Sequence, residues 1–463
     1  MEVRRRRFRR YEGEVNLKRI IAAAGLTCLA LVAQAPAPAL ASGKIFPYDA
    51  HEETLDNGLK VILIPMASDG LVALWSVVRT GSRDEYEPGR TGFAHFFEHM
   101  MFRGTESFPA DRYNEIVTEM GADANAFTSN DLTAYHMGIA AVDLDRALEI
   151  EADRFQNLSY AEEAFRTEAG AVFGEYRKNR TRPFTQIIEA VYGTAFTNHT
   201  YGHSTIGYEA DIKGMPDLYD YSKSFFSRYY RPENTVLLIT GDIEIEPTMA
   251  LIRTYYGNWQ RGYVAPQIPV EPEQTEARSV SVDYEGKSLP IVWVAYKTPA
   301  FDPKDRVVVA ASLLADLAFG STSDIYKKLV LDEQTVEFID AGVDRTRDPF
   351  VFEVYSRIKD PDKVDAVLGE IDGVIAHYSK NPPDAKRLHD LKSRLKYGFL
   401  MGLDTPDRVA SRLARYIAVS GGIDAIEELY RTFKAITPED LQTAAQRYLV
   451  TEKRTIGVLR GKR

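Results

Sequence analysis

One strand ending is written twice in this chain, and that repeat limits the folds open to it. Tyr229-Tyr230-Arg231-Pro232-Glu233-Asn234-Thr235-Val236-Leu237-Leu238-Ile239-Thr240-Gly241 runs from a helix-ending tyrosine through a polar turn into a strand that closes on glycine. Tyr448-Leu449-Val450-Thr451-Glu452-Lys453-Arg454-Thr455-Ile456-Gly457-Val458-Leu459-Arg460-Gly461 does the same. The starts of the two halves also correspond, with apolar, β-branched runs at 61–65 and 71–78 and again at 279–282 and 290–296, each followed by helical patterns. A unit used twice implies an α+β chain of two homologous α/β domains, each a mixed sheet flanked by helices. Three prolines without periodicity around Pro266, Pro269 and Pro272 mark a linker over 263–277, which places the domains at 42–262 and 278–463. With 463 residues, 44% of them hydrophobic, the chain can bury two such cores.

Residues 1–41 read as a signal peptide. A basic stretch from Arg4 to Arg10 precedes an apolar run from Ile20 to Ala33, and Ala39-Leu40-Ala41 supplies the small residues of a cleavage site. The run is shorter than the ~20 residues a bilayer core requires, and no later segment reads as long and apolar enough, so no stable membrane insertion is expected. Export to a periplasm or beyond follows. The single cysteine, Cys28, leaves with the signal, which excludes disulfides and thiolate ligands from the mature chain. Residues 1–41 carry 8 Lys/Arg and 3 Asp/Glu, so a net charge of −10 becomes −15 after cleavage. Such an acidic body argues against nucleic acid as a partner.

The chemistry is concentrated in His95-Phe96-Phe97-Glu98-His99, in a chain with only 8 histidines. Residues four apart share a helix face, so His95 and His99 can aim at one atom, with Glu98 beside them. Two neutral imidazoles suit zinc, which needs a further protein ligand. A carboxylate next to a metal-activated water can take its proton and later protonate a leaving amine, which gives Glu98 the part of general base. Glu168 and Glu175, seven apart in a largely apolar helix, supply the rest: Glu175 as ligand, Glu168 as catalytic support that orients a ligand. His199 and His203 sit among turn formers without a carboxylate partner and read as structural.

The sequence resembles the inverted-motif zinc peptidases that include pitrilysin, insulin-degrading enzyme and the mitochondrial processing peptidase. The resemblance rests on the His95–His99 motif, the following Met100-Met101-Phe102-Arg103-Gly104-Thr105, Glu151-Ala152-Asp153-Arg154, Glu168 with Glu175, the segment from Tyr201 to Gly207, and Tyr230-Arg231-Pro232-Glu233-Asn234. It implies one Zn2+ per chain on His95, His99 and Glu175, with Glu98 as base. It also implies that Gly121–Thr128 holds an edge strand on which Asn125, Ala126 and Phe127 bind unfolded peptide by main-chain pairing. Self-sufficient members carry an Arg and a Tyr in the second half that steady the developing oxyanion. In the matching stretch 320–338, Val330 stands near one place and Glu337 or Phe338 near the other, while Tyr326 and Lys327 come early. The resemblance therefore implies one clam-like half of a dimeric chamber, paired with a related chain that lacks the zinc motif or with a second copy. The alternative is a non-catalytic peptide-binding or assembly subunit with a structural zinc.

Overall fold

The computed structural model describes residues 44–462. The expected signal peptide and Cys28 lie outside them. The alternation of apolar and polar residues is realised in two sheets. Strands β1 (His51–Thr54), β2 (Lys60–Pro65), β3 (Leu71–Val78), β4 (Asp123–Thr128), β5 (Thr133–Ala140) and β6 (Thr235–Gly241) form the first, in the order β1-β2-β6-β3-β5-β4. Strands β7 (Arg278–Lys287), β8 (Ile291–Thr298), β9 (Val336–Val343), β10 (Phe350–Ile358) and β11 (Arg454–Lys462) form the second, in the order β7-β11-β8-β10-β9. The pairs β2/β6 and β7/β11 are parallel and every other pair is antiparallel. Apart from β1, the two sheets have one topology.

The correspondence extends to register. In the first sheet Trp75 stands opposite His136 and Leu238, and Asn125 opposite His136. In the second, Trp293 stands opposite Tyr355 and Gly457, and Asp340 opposite Tyr355. The stacked cross-strand pair recurs too, Trp75 on His136 at 4.5 Å between centroids and Trp293 on Tyr355 at 4.4 Å. Both copies of the repeated strand ending, β6 and β11, occupy the same place beside the central strand.

Helices α1 (Phe93–Met100), α2 (Ala110–Glu119), α3 (Leu144–Asn157), α4 (Glu162–Arg180) and α5 (Pro183–Ala195) belong to the first half. The first four cover one face of the first sheet, where Phe93, Phe96, Phe97, Phe155 and Phe165 share a core with Val61, Leu63 and Leu74. Helix α5 leaves that layer and lays Ile187 and Val191 on the second sheet against Ile291, Trp293 and Leu459. The helix Pro406–Ser420 makes the reciprocal crossing onto β3 and β6. There Trp75 Nε1 donates to Asp407 (3.2 Å), Thr240 Oγ1 to the Pro406 carbonyl (2.8 Å) and Arg79 Nε to the Ala418 carbonyl (3.0 Å). Each half thus covers the open face of the other's sheet, which joins the halves through apolar area rather than through a hinge. Residues 263–277 form neither helix nor strand.

One expectation is corrected. The stretch Arg306–Asp332 is, by length and composition alone, apolar enough to cross a membrane, although none was foreseen after the signal. Its apolar window is 67% buried inside the fold, with Val309, Leu313, Leu314 and Leu317 in the second core, so packing against the protein accounts for its hydropathy.

Candidate active site

The motif helix starts where only glycine fits. Gly92 has φ 91°, and a Cβ there would lie 2.2 Å from Ile212 Cδ1 and 2.6 Å from the Ile206 carbonyl oxygen. The N–H groups of Gly92 and Ala94 donate to the buried carboxyl of Glu85, at 2.7 and 2.6 Å, satisfying two of the free donors at the helix start. Helix α1 then buries Phe93, Ala94, Phe96, Phe97 and Met100. The polar residues His95, Glu98 and His99 are left together on the remaining face, as period 3.6 requires.

Helix α4 brings the carboxylates, held to α1 by Phe96 packing edge-on against Phe165 at 5.0 Å. Glu175 Oε2 lies 3.7 Å from His95 Nε2 and 3.6 Å from His99 Nε2, and one ligand atom from each of the three residues falls within 4.8 Å of the others. These separations are too long for hydrogen bonds. They are close to the ~3.3 Å between ligands on a tetrahedral ion with bonds of about 2.0–2.1 Å, and nitrogen with carboxylate oxygen is a donor set that zinc takes. The residues present therefore fit the metal. Burial also holds His95 below its ordinary pKa, favouring the neutral imidazole that a metal needs.

Glu168 lies behind this cluster and not in the cleft. It is 4% exposed, and its Oε1 meets His99 Nδ1 at 2.9 Å while its other oxygen accepts from Arg103. Burial alone would raise its pKa, but the bonds from His99 and Arg103 hold it below the usual carboxylate range. The hydrogen bond that His99 Nδ1 donates to Glu168 in turn raises His99 and turns its Nε2 toward Glu175. Expected as catalytic support that orients a ligand, Glu168 bonds His99 and Arg103, and through the first of these it fixes the His99 ring.

Glu98 faces the cleft and accepts a hydrogen bond from Thr128 Oγ1 at 2.7 Å. The cleft, of about 430 Å³, is lined by His95, Glu98, Glu175, Phe127, Thr128 and Arg182 among others, and none of its described lining residues comes from the second half. Beside it runs β4, the last strand of its sheet, with one edge unpaired by any described strand. Asn125 stands opposite His136 and Ala126 opposite Tyr135, and the Ala126 N–H donates to Asn125 Oδ1 at 2.9 Å. Phe127, 37% exposed, packs edge-on to Trp75 at 6.1 Å.

The structure brings Thr128, Arg103 and Arg182 to this region without a role having been read for them. Thr128 and Arg103 lie inside segments already singled out, but their partners come from other elements, which no local pattern reveals. Arg182, where α4 passes into α5, carries no local signal. His199 Nε2 bonds Asp348 at 3.0 Å and His203 Nδ1 meets the Ser204 carbonyl at 2.9 Å, both serving the fold. Among the described residues His95, His99 and Glu175 are the one cluster that could hold a metal. In the stretch 320–338 the helix Asp324–Tyr326 widens into a π-turn over Lys327–Asp332. Val330 and Tyr326 pack on the second core, Glu337 pairs with Arg357 at 3.1 Å and Phe338 lies against Phe184 at 5.9 Å.

A duplicated α/β chain with two histidines and a carboxylate gathered beside an open strand defines the class of inverted-motif metallopeptidases. Comparison with known proteins agrees. The profile "Insulinase (Peptidase family M16)" matches residues 60–209, and "Peptidase M16 inactive domain" matches residues 218–395. The chain belongs to peptidase family M16. It is 29% identical to the zinc protease PqqE of Helicobacter pylori over 86% of this chain and 90% of that one. It is 25% identical to a zinc protease of Mycobacterium tuberculosis over 88% and 92%. A solved protease from Helicobacter pylori superposes with a TM-score of 0.84, 26% identity, and coverage of 89% of this chain and 99% of that one. The periplasmic protease PqqL from Escherichia coli gives a TM-score of 0.75 at 20% identity, with 90% of this chain spanning 48% of that chain.

Proposed function

We propose that this chain is a zinc endopeptidase that cuts unfolded peptides. The observation that carries the reading is the cluster of His95, His99 and Glu175 at a cleft lined by His95, Glu175 and Glu98, next to the open edge of β4. His95, His99 and Glu175 would hold one zinc ion, which when bound supplies a Lewis acid that polarises a peptide carbonyl and acidifies water. Glu98, fixed through one oxygen by Thr128, keeps Oε1 for the proton of the attacking water and hands that proton to the leaving amine. Glu168 keeps the His99 ring in place. An incoming strand would displace Asn125 Oδ1 from the Ala126 N–H, freeing the Asn125 amide and the Ala126 backbone to hold the substrate main chain, with Phe127 flanking it. Main-chain pairing of this kind selects extended chains rather than sequences.

The domain division at 263–277, the signal peptide and a periplasmic or extracellular location belong to the same proposal. The description of PqqL as a periplasmic protease supports the location. Among the described residues the cleft has no donor from the second half, so the oxyanion would be met by a partner chain: a relative without the zinc motif, or a second copy. The same feature favours one rival, a peptide-binding or assembly subunit with a structural zinc. Cleavage of a mixed unstructured peptide pool by the zinc-loaded mature chain, alone and with such a relative, separates them. The proposal expects faster cleavage in the mixture. Equal rates would remove the need for a partner, and no cleavage in either would favour the rival.

A further inference from the structure

A second cleft, of about 640 Å³, opens between helices of the second half and shares no lining residue with the first. Its walls carry Arg345, Arg394, Arg412 and Arg415, and Asp316 is the one carboxylate among its lining residues. In a chain of net charge −10 this is a local excess of positive charge. Arg394 uses Asp316, at 3.2 Å. Arg412 Nε donates to the neutral carbonyl of Gly402 at 3.0 Å, and a Cβ on Gly402 would lie 2.0 Å from the Arg412 guanidinium, so this glycine makes room for the side chain. The side chains of Arg345 and Arg415, both residues half-buried, make no hydrogen bond or ion pair with any described residue. Arg345 is held instead over the Tyr416 ring at 5.1 Å, which orients its donors.

Cations gathered in one cleft repel each other, and the Arg345 and Arg415 guanidinium donors find no acceptor among the described residues. An anion would answer both. Guanidinium groups present donors in a planar fork that matches phosphoryl and carboxylate oxygens, so the ligand should carry at least two negative charges spread over several oxygens. The cleft is larger than a lone phosphate needs and falls within the range of small-molecule sites.

We propose that this arginine cleft is a binding site for a compact polyanion bearing phosphoryl or clustered carboxylate groups. The proposal is independent of the peptidase reading, because it uses none of the same residues. Calorimetric titration of the full mature chain with inorganic pyrophosphate and, separately, citrate, at about 0.15 M salt, tests it. The expected result is one saturable site for at least one probe, and the stronger of the two identifies the chemistry. Arg345→Gln and Arg415→Gln should each weaken it about tenfold, while Lys386→Gln on the exposed helix surface should leave it unchanged. If a glutamine variant loses its circular dichroism, Arg415→Lys serves in its place, and loss of the planar fork should still weaken binding severalfold. No saturable binding of either probe, or equal affinity in the wild type and the folded arginine variants, would overturn the site.

Discussion

Glu353 offers a test of how the two halves are joined. It sits on β10 where α5 crosses the second sheet, and its Oε1 accepts from Trp293 Nε1 at 3.0 Å, with Tyr192 of α5 as its other partner. Burial pushes its carboxyl up from 4.5 to about 7. Below pH 4.5 the folded and unfolded chains both hold the proton. As pH rises from there to about 7, the unfolded chain has released it and the folded chain has not, so stability falls. Above that the full penalty stands. The difference between 4.5 and about 7 corresponds to about 3 kcal/mol at ~1.36 kcal/mol per tenfold, a ceiling that partial exposure lowers toward about half. Glu353→Gln keeps the shape and the bond from Trp293 but removes the charge. Urea unfolding should show the variant about equal to wild type at pH 4.5 and more stable by about 1.5–3 kcal/mol at pH 8.5. A variant equally or less stable at pH 8.5, or a gain that does not depend on pH, would refute the argument that a buried charge strains this crossing.

Three further outcomes follow from the geometry. Gly457→Ala would put a Cβ 2.3 Å from Val191 Cγ2 and 2.8 Å from Ile187 Cδ1, so thermal or urea unfolding should show a loss of about 1–3 kcal/mol as α5 is pushed off its sheet. Glu168→Ala removes the group that orients His99, and competition with a chelator should show zinc held about 10–100-fold more weakly. Asn125→Ala should lower peptide turnover while leaving zinc content unchanged, and unaltered turnover would end its assignment to substrate.

Much of the candidate site is legible in the sequence, because helical spacing is local. His95, Glu98 and His99 lie within a single turn and a half, and Glu168 and Glu175 within two. The repeated strand ending likewise gave away the duplicated sheet, since β6 and β11 occupy equivalent central places. What could not be read depends on contacts distant in sequence. Thr128 reaches Glu98 across a strand-to-helix contact, and nothing in Pro183–Ala195 says that Ile187 and Val191 will be buried on the other half's sheet. The arginine cleft draws on separate elements from Asp316 to Arg415 and has no sequence pattern at all. The apolar stretch Arg306–Asp332 shows the reverse problem, in which composition alone cannot distinguish a protein core from a lipid one.

The most direct measurement is zinc content and cleavage of unstructured peptide taken together on the mature chain and its Glu98→Gln variant, each with a motif-lacking relative present. The account predicts one zinc per chain in both proteins and cleavage only where Glu98 is intact. Cleavage that survives in Glu98→Gln, or failure of the intact chain to retain zinc, would contradict it.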